Sequence, residues 1–210
     1  MNLKICVTLS LAIFILAGCY TKREYYEPEF ISKNMSFKNY LDSSLHQTSK
    51  YGAVLDNGSV LLKSGEVIEL NLNKDDNFLG KYQDKLLVAS IDGSFKVLLD
   101  KDEYYTTKFK TRIVSASIND NYLAALSVDN TIYLIDMISD QLLLEYNIGP
   151  SYAIDAKMAN PIFLNSITVY PTLDGKIMIV DTASGRILRD AIVSSEPFFN
   201  NIIFYIQNQG

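Results

Sequence analysis

The sequence predicts an all-β fold made of repeated antiparallel sheets, and three observations support that prediction. The chain has 210 residues, of which 48% are hydrophobic and 20% charged, so it can bury a core. Within residues 51–210, four segments repeat an apolar run, an Asp-Gly or Asp-Asn turn and a second apolar run. No helical period of ten or more residues separates these runs, which argues against a parallel α/β sheet.

The turn of each repeat carries the clearest signal. Asp-Gly and Asn-Gly pairs favour two-residue hairpins, in which both central residues need a positive φ. The turn aspartates follow one another at intervals of 36, 37 and 45 residues, and a period of about 40 with several strands per unit is typical of propeller blades. The predicted turn residues are Asp56, Gly58, Asp92, Gly93, Asp129, Asn130, Asp174, Gly175 and Gly185.

The strand after each turn predicts how the sheets pack. In residues 131–135, Ile132 and Leu134 face one side while Tyr133 and Ile135 face the other. Both faces are apolar, so such a sheet must be covered on both sides, whereas a sandwich sheet would show one polar face. We therefore predict a β-propeller of four-stranded antiparallel blades, with another repetitive β fold as the alternative.

The last ten residues, 201–210, resemble the strand that precedes a fifth turn. We expect an open arc of about four blades that belongs to a longer chain, because propellers normally close with four to eight blades.

The N-terminus has the layout of a secretory signal. Lys4 precedes a mostly apolar run over residues 5–17, which is too short for a comfortable bilayer span. The run ends in Leu-Ala-Gly-Cys, at Gly18 and Cys19, and this resembles the lipobox of bacterial lipoproteins. The resemblance implies cleavage between these two residues, and acyl chains, palmitate among them, on Cys19. An ordinary cleaved signal with a chance cysteine is the alternative.

This layout divides the chain into three parts. We expect a signal peptide over residues 1–18, a lipidated N-terminus and tether over 19–50, and propeller repeats over 51–210. We expect the outer membrane, on its periplasmic face, as the location.

Composition narrows the possible chemistry. A net charge of −5 argues against a nucleic-acid binder, and two Cys with one His argue against a disulfide scaffold or zinc site. His46 lies in the tether, away from any predicted nucleophile, and paired acids such as Asp75 and Asp76 are typical of solvated turns. We expect no enzyme activity, no metal and no cofactor.

Residues 173–188 resemble the repeat of the pyrroloquinoline-quinone-like propellers, in which an Asp-Gly turn and an apolar strand precede a second Gly turn. Members that bind the quinone use tryptophan and a vicinal disulfide. This chain has no Trp, so we expect the fold without the quinone.

A lipid-anchored propeller without a catalytic set resembles the outer-membrane β-barrel assembly lipoprotein B family. That resemblance implies a scaffold that binds the periplasmic part of the barrel insertase. The candidate contact is the loop over residues 149–161, with Tyr152, Ile154 and Lys157; an inner strand of the fourth blade is the alternative. A ligand-binding or enzymatic surface propeller and a surface adhesin remain alternative functions.

Overall fold

Residues 40–151, 159–195 and 202 are described in the computed structural model, and they contain sixteen β-strands in four sheets. The first sheet contains β1 Leu45–Thr48, β2 Gly52–Leu55, β3 Ser59–Leu62 and β4 Val67–Glu69. The second contains β5 Asp76–Tyr82, β6 Lys85–Ser90, β7 Ser94–Leu99 and β8 Asp102–Lys108. The third contains β9 Ile113–Ile118, β10 Tyr122–Ser127, β11 Thr131–Asp136 and β12 Gln141–Asn147. The fourth contains β13 Ile162–Leu164, β14 Ile167–Pro171, β15 Lys176–Asp181 and β16 Ile187–Ile192.

Each sheet is an antiparallel meander in which the strands lie side by side in chain order. Short turns produce this order, because antiparallel neighbours need only a tight connection. In the third sheet, for example, Leu123 lies opposite Ile118 on one side and Ile135 on the other. The predicted all-β fold of four-stranded antiparallel blades is confirmed.

The hydrophobic core lies between consecutive sheets. On β11, Tyr133 and Ile135 pack into the core shared with the second sheet, while Ile132 and Leu134 pack into the core shared with the fourth. These four side chains are at most 5% exposed. Burying a side chain of this size contributes about 1.5–3 kcal/mol. The predicted burial of both faces of this strand is therefore confirmed, and it makes neighbouring sheets depend on one another.

Each blade has its first strand at the centre of the arc and its fourth strand at the rim. The inner strands β5 and β9 lie next to each other and are mostly buried, whereas the outer strands β8 and β12 are mostly exposed. At the two ends of the described arc the inner strands are less covered, since β1 is exposed throughout and β13 is half-buried. The described blades thus form an open arc.

The turns between the second and third strands differ from the predicted two-residue type. In the second blade the turn has three residues, the Gly93 amide donates to the Ser90 carbonyl at 3.1 Å, and only Gly93 has a positive φ, 88°. This is a type I turn followed by one left-handed residue. Asp92 therefore keeps a negative φ and accepts the Ser94 amide at 2.9 Å. In the first blade, Asn57 occupies the turn position that corresponds to Asp92, and the predicted turn residue Asp56 lies one position earlier.

The first sheet begins at Leu45, inside the segment that the sequence assigned to the tether. His46 lies on β1, where its Nδ1 is 3.3 Å from the Asp56 carboxylate and its Nε2 is 3.1 Å from the Lys74 carbonyl. The histidine thus contacts two strand connections. The sequence of residues 19–50 shows no persistent strand period, because β1 has only four residues and all of them are exposed.

Candidate functional site

The residues predicted for lipidation and partner binding lie outside the described residues. This applies to Gly18 and Cys19, and to the loop residues Tyr152, Ile154 and Lys157. They remain predictions.

The predicted turn residues are all described, and most of their polar groups are engaged locally. Gly58, Gly93, Gly175 and Gly185 have φ values of 79°, 88°, 79° and 68°, and Asn130 has 62°. A hydrogen bond and ion pair from Lys108, with help from Ser94, lower the pKa of Asp92 to about 2. These acids act as acceptors within their turns.

One contact that sequence reasoning missed recurs in all four blades. After each outer strand the chain returns to the turn between strands two and three, and a backbone amide donates to the carbonyl of the left-handed residue. The four bonds are Leu72 to Gly58 at 2.9 Å, Phe109 to Gly93 at 2.9 Å, Ile148 to Asn130 at 3.1 Å and Val193 to Gly175 at 2.8 Å. The residue whose amide donates is apolar in each blade, and this recurring apolar position is the sequence signal that could have revealed the contact.

Phe109 also joins the second and third blades. Its ring centroid lies 5.8 Å from that of Phe95 in its own blade and 4.7 Å from that of Tyr133 in the next. Aromatic pairs at these distances contribute about 0.5–1.5 kcal/mol beyond their buried area. A phenylalanine therefore supplies an aromatic contact between blades in a chain that has no tryptophan.

Asn130 connects the third blade to the fourth. Its side chain is fully buried; Oδ1 accepts the Leu173 amide at 2.9 Å, and Nδ2 lies 3.3 Å from both the Gly149 carbonyl and Asp174 Oδ1. Asparagine tolerates the left-handed conformation better than other residues with a Cβ. The residue thus combines the turn geometry of glycine with a bond to the next blade.

Asn160, just before β13, lies at the centre of the arc and touches three blades. Its Nδ2 donates to the Tyr82 hydroxyl at 2.8 Å and to the Leu79 carbonyl at 3.3 Å. The Ser115 hydroxyl lies 3.1 Å from its Oδ1, and its backbone amide donates to Tyr51. The sequence marked this region only as a loop or an inner strand, because these partners come from 45 to 109 positions earlier in the chain.

An open cavity of about 520 Å³ lies on one side of Asn160, and we call it the axial depression. It lies beside the turns that join the first and second strands of the blades. Its lining residues are Lys50, Tyr51, Tyr82, Gln83, Lys85, Ser117, Ile118, Asn119, Asp120, Ala159, Asn160, Pro161, Ile162 and Phe163. A second cavity of about 170 Å³, lined by Phe78, Ile113 and Asn160 among others, lies elsewhere along the inner strands.

Burial shapes the electrostatics of the axial depression. Burial raises the pKa of Tyr82, although the bond from Asn160 acts in the opposite direction. Burial and the charge of Lys63 lower the pKa of Lys50, whose ammonium lies 5.2 Å from the Tyr51 ring centroid. The depression therefore combines neutral phenols with partly buried cations, an arrangement suited to binding polar groups.

The described residues contain neither a metal-binding cluster nor a membrane-spanning helix. In that part of the chain no three His, Cys, Asp or Glu side chains come together as a metal site. The same residues include no helix with the length and apolar character needed to cross a bilayer.

Comparison with known proteins finds relatives of this chain by sequence. No protein-family model matches the chain. An alignment that covers 94% of this chain shows 30% identity to the plasminogen-binding protein PgbB of Helicobacter pylori strain ATCC 700392 / 26695. The chain spans 45% of the length of that relative, so it corresponds to less than half of it.

Solved structures show the fold. BamB from Moraxella catarrhalis has a TM-score of 0.53 at 17% identity, over 72% of this chain and 50% of that chain. The β-propeller domain of Cps50 (Swd1) from Myceliophteria thermophila has a TM-score of 0.54 at 17% identity, over 76% of this chain and 59% of that chain. The four described blades are therefore an arc of a β-propeller that resembles BamB in its fold.

Proposed function

We propose that this chain belongs to a non-enzymatic, protein-binding propeller of the bacterial envelope. The observation that carries the proposal is the 30% identity, over nearly the whole chain, to a plasminogen-binding protein. The relative is named for binding a protein, and the scaffold predicted from the sequence would also bind a protein.

The geometry supports binding through one face of the arc. Buried cores between the blades hold the sheets in place, so the connecting turns are presented on a preorganised frame. The axial depression opens among these turns, with aromatic, amide and charged side chains. Such mixed surfaces are typical of protein interfaces.

A lipid anchor on Cys19 would keep this frame at a membrane. The Leu-Ala-Gly-Cys sequence matches the lipobox in full and supports the anchor. We propose the outer membrane as the location, because Tyr20 follows Cys19 where an Asp would favour retention on the inner membrane in enteric bacteria. More than one acyl chain is needed for stable anchoring, since a single chain gives only reversible binding.

Two partners follow from different observations. Plasminogen is the first candidate, because the relative found by sequence is named for binding it. The barrel insertase is the second, because the sequence resembles the assembly lipoprotein B family and the fold resembles BamB. The first requires exposure at the cell surface, whereas the second requires the periplasmic face.

The test uses the purified full-length protein and intact cells. Surface plasmon resonance measures binding to immobilised plasminogen, and affinity capture from envelope extracts measures recovery of the insertase. Protease treatment of intact cells reports on exposure. We expect specific capture of one partner, reduced by Tyr152→Ala with Ile154→Asp if the predicted loop takes part. Failure to retain either partner would refute the proposed function.

A further inference from the structure

The turn between β2 and β3 contains the one Asn-Gly pair of the sequence, Asn57 and Gly58. Asn57 is exposed, and Gly58 has a φ of 79°, with its amide donating to the Leu55 carbonyl at 2.9 Å. Because glycine has no Cβ, nothing on Gly58 itself hinders its backbone nitrogen when a side chain approaches. An asparagine amide therefore lies next to a backbone nitrogen that can attack it.

The side chain of Asn57 is already folded towards this nitrogen. Its Oδ1 accepts the Ser59 amide at 3.0 Å, and an Asx turn of this kind bends the side chain back over the peptide unit that follows. The Ser59 amide also stabilises negative charge that develops on Oδ1 when Cγ is attacked, as backbone amides do in oxyanion holes. The turn thus favours a reaction between Asn57 Cγ and the Gly58 nitrogen.

The other described blades have an aspartate at the position of Asn57. Each of these acids directly precedes the left-handed residue of its turn, and they are Asp92, Asp129 and Asp174. The Asp92 carboxylate accepts the Ser94 amide at 2.9 Å, which is the equivalent of the bond between Asn57 and Ser59. A carboxylate at position 57 would therefore keep the hydrogen bond that shapes this turn, and conversion of the amide to an acid is compatible with the fold.

We propose that Asn57 is a site of spontaneous deamidation, at which water replaces the side-chain amide by a carboxylate. The Gly58 amide first releases the Leu55 carbonyl, a local opening that costs less than global unfolding. Its nitrogen then bonds to Asn57 Cγ, the bond from Cγ to Nδ2 breaks, and the proton of the attacking nitrogen leaves with Nδ2 as ammonia. Water adds to a carbonyl of the resulting succinimide ring, and the bond from that carbonyl carbon to the Gly58 nitrogen breaks, so the nitrogen regains a proton. Nothing is oxidised or reduced, and the net reaction consumes water and releases ammonia.

The ring can open to two products, and the folded turn accepts only one of them. Opening at Cγ gives ordinary aspartate, whereas opening at the Asn57 backbone carbonyl gives isoaspartate, whose main chain is longer by a methylene group. The Leu72 amide donates to the Gly58 carbonyl at 2.9 Å, and a Cβ on Gly58 would lie 2.6 Å from the Leu72 carbonyl oxygen. A longer main chain does not fit so close a contact, so aspartate is the product that keeps the turn.

The test follows the folded full-length protein by peptide mapping and mass spectrometry during incubation at neutral and mildly alkaline pH. Asn165 is the matched internal control, because it is exposed in a turn with a φ of 53° but is followed by Ser166 and not by glycine. Asn57→Gln suppresses the reaction, since a longer side chain must close a larger ring. Asn57→Asp supplies the aspartate product directly, and its urea unfolding midpoint reports whether the turn accepts it. Deamidation makes the net charge of −5 more negative, so anion exchange separates the converted protein.

We expect the peptide with Asn57 to gain the mass difference of deamidation several-fold faster than the peptide with Asn165, and Asn57→Gln to remove that gain. The rate should rise with pH, because the attacking nitrogen must lose its proton, and the midpoint of Asn57→Asp should match that of wild type. Equal rates at the two asparagines would overturn the proposed site. A midpoint of Asn57→Asp clearly below wild type, or an isoaspartate fraction as stable as the aspartate fraction, would refute the selection between products. The reaction involves only water and this turn, so it stands or fails independently of the proposed partners.

Discussion

Replacing Asn130 by glycine tests whether this side chain holds the third and fourth blades together. Asn130→Gly keeps the left-handed turn, since φ is 62°, but removes the acceptor of the Leu173 amide, 2.9 Å away, and two longer contacts. An unpaired buried amide costs about 1–3 kcal/mol, and weak hydrogen bonds add about 0.5 kcal/mol each. Glycine regains about 1 kcal/mol because it adopts positive φ without strain.

The expected net loss is about 2 kcal/mol in the free energy of unfolding, from these terms. For a chain of this size that loss lowers the midpoint of thermal unfolding by about 4–8 °C. Urea unfolding followed by circular dichroism measures the free energy directly. The slope of the transition should not change, because no additional surface becomes exposed.

Asn165→Gly is the matched control. Asn165 is exposed and has a φ of 53° in the turn between β13 and β14. The same substitution there relieves backbone strain without breaking a buried contact, so stability should stay unchanged or rise slightly. Equal effects of the two substitutions would refute the role assigned to Asn130.

Three further predictions follow from the turns and the N-terminus. Gly93→Ala should destabilise the protein by at least about 2 kcal/mol more than Gly65→Ala. Both glycines have a φ of 88°, but a Cβ at Gly93 would lie 2.3 Å from a backbone oxygen, whereas a Cβ at Gly65 would meet nothing within 4 Å. Similar urea midpoints for the two variants would contradict this prediction. The pKa of Asp92 is lowered to about 2 by Lys108. The carboxylate therefore stabilises the folded protein above the unfolded pKa of about 4, and this stabilisation is lost as the pH falls towards 2. The difference in free energy of unfolding between wild type and Asp92→Asn should narrow over that pH range, and a constant difference would exclude a stabilising role for the charged carboxylate. Cys19→Ser should abolish incorporation of labelled palmitate and release the protein from the membrane fraction, whereas labelling that persists in the variant would show that the thiol is not the acceptor.

The sequence determined the all-β fold and the burial of the blades. Alternating apolar side chains on both faces of the third-blade strand, at Ile132 to Ile135, require cover on each side whatever the neighbours are. The regular Asp-Gly turns then set the number of described blades. These features are local, since a strand's side-chain alternation and a turn's need for positive φ are properties of a few adjacent residues.

Only the tertiary structure decided which residues meet at the centre of the arc and how the turns are built. Asn160 contacts residues far away in the chain, and nothing in its own segment indicates those partners. The three-residue turns differ from the predicted hairpins because Asp92 uses its carboxylate to accept an amide, so only the following glycine needs positive φ. Such contacts depend on packing between blades, which no local pattern specifies.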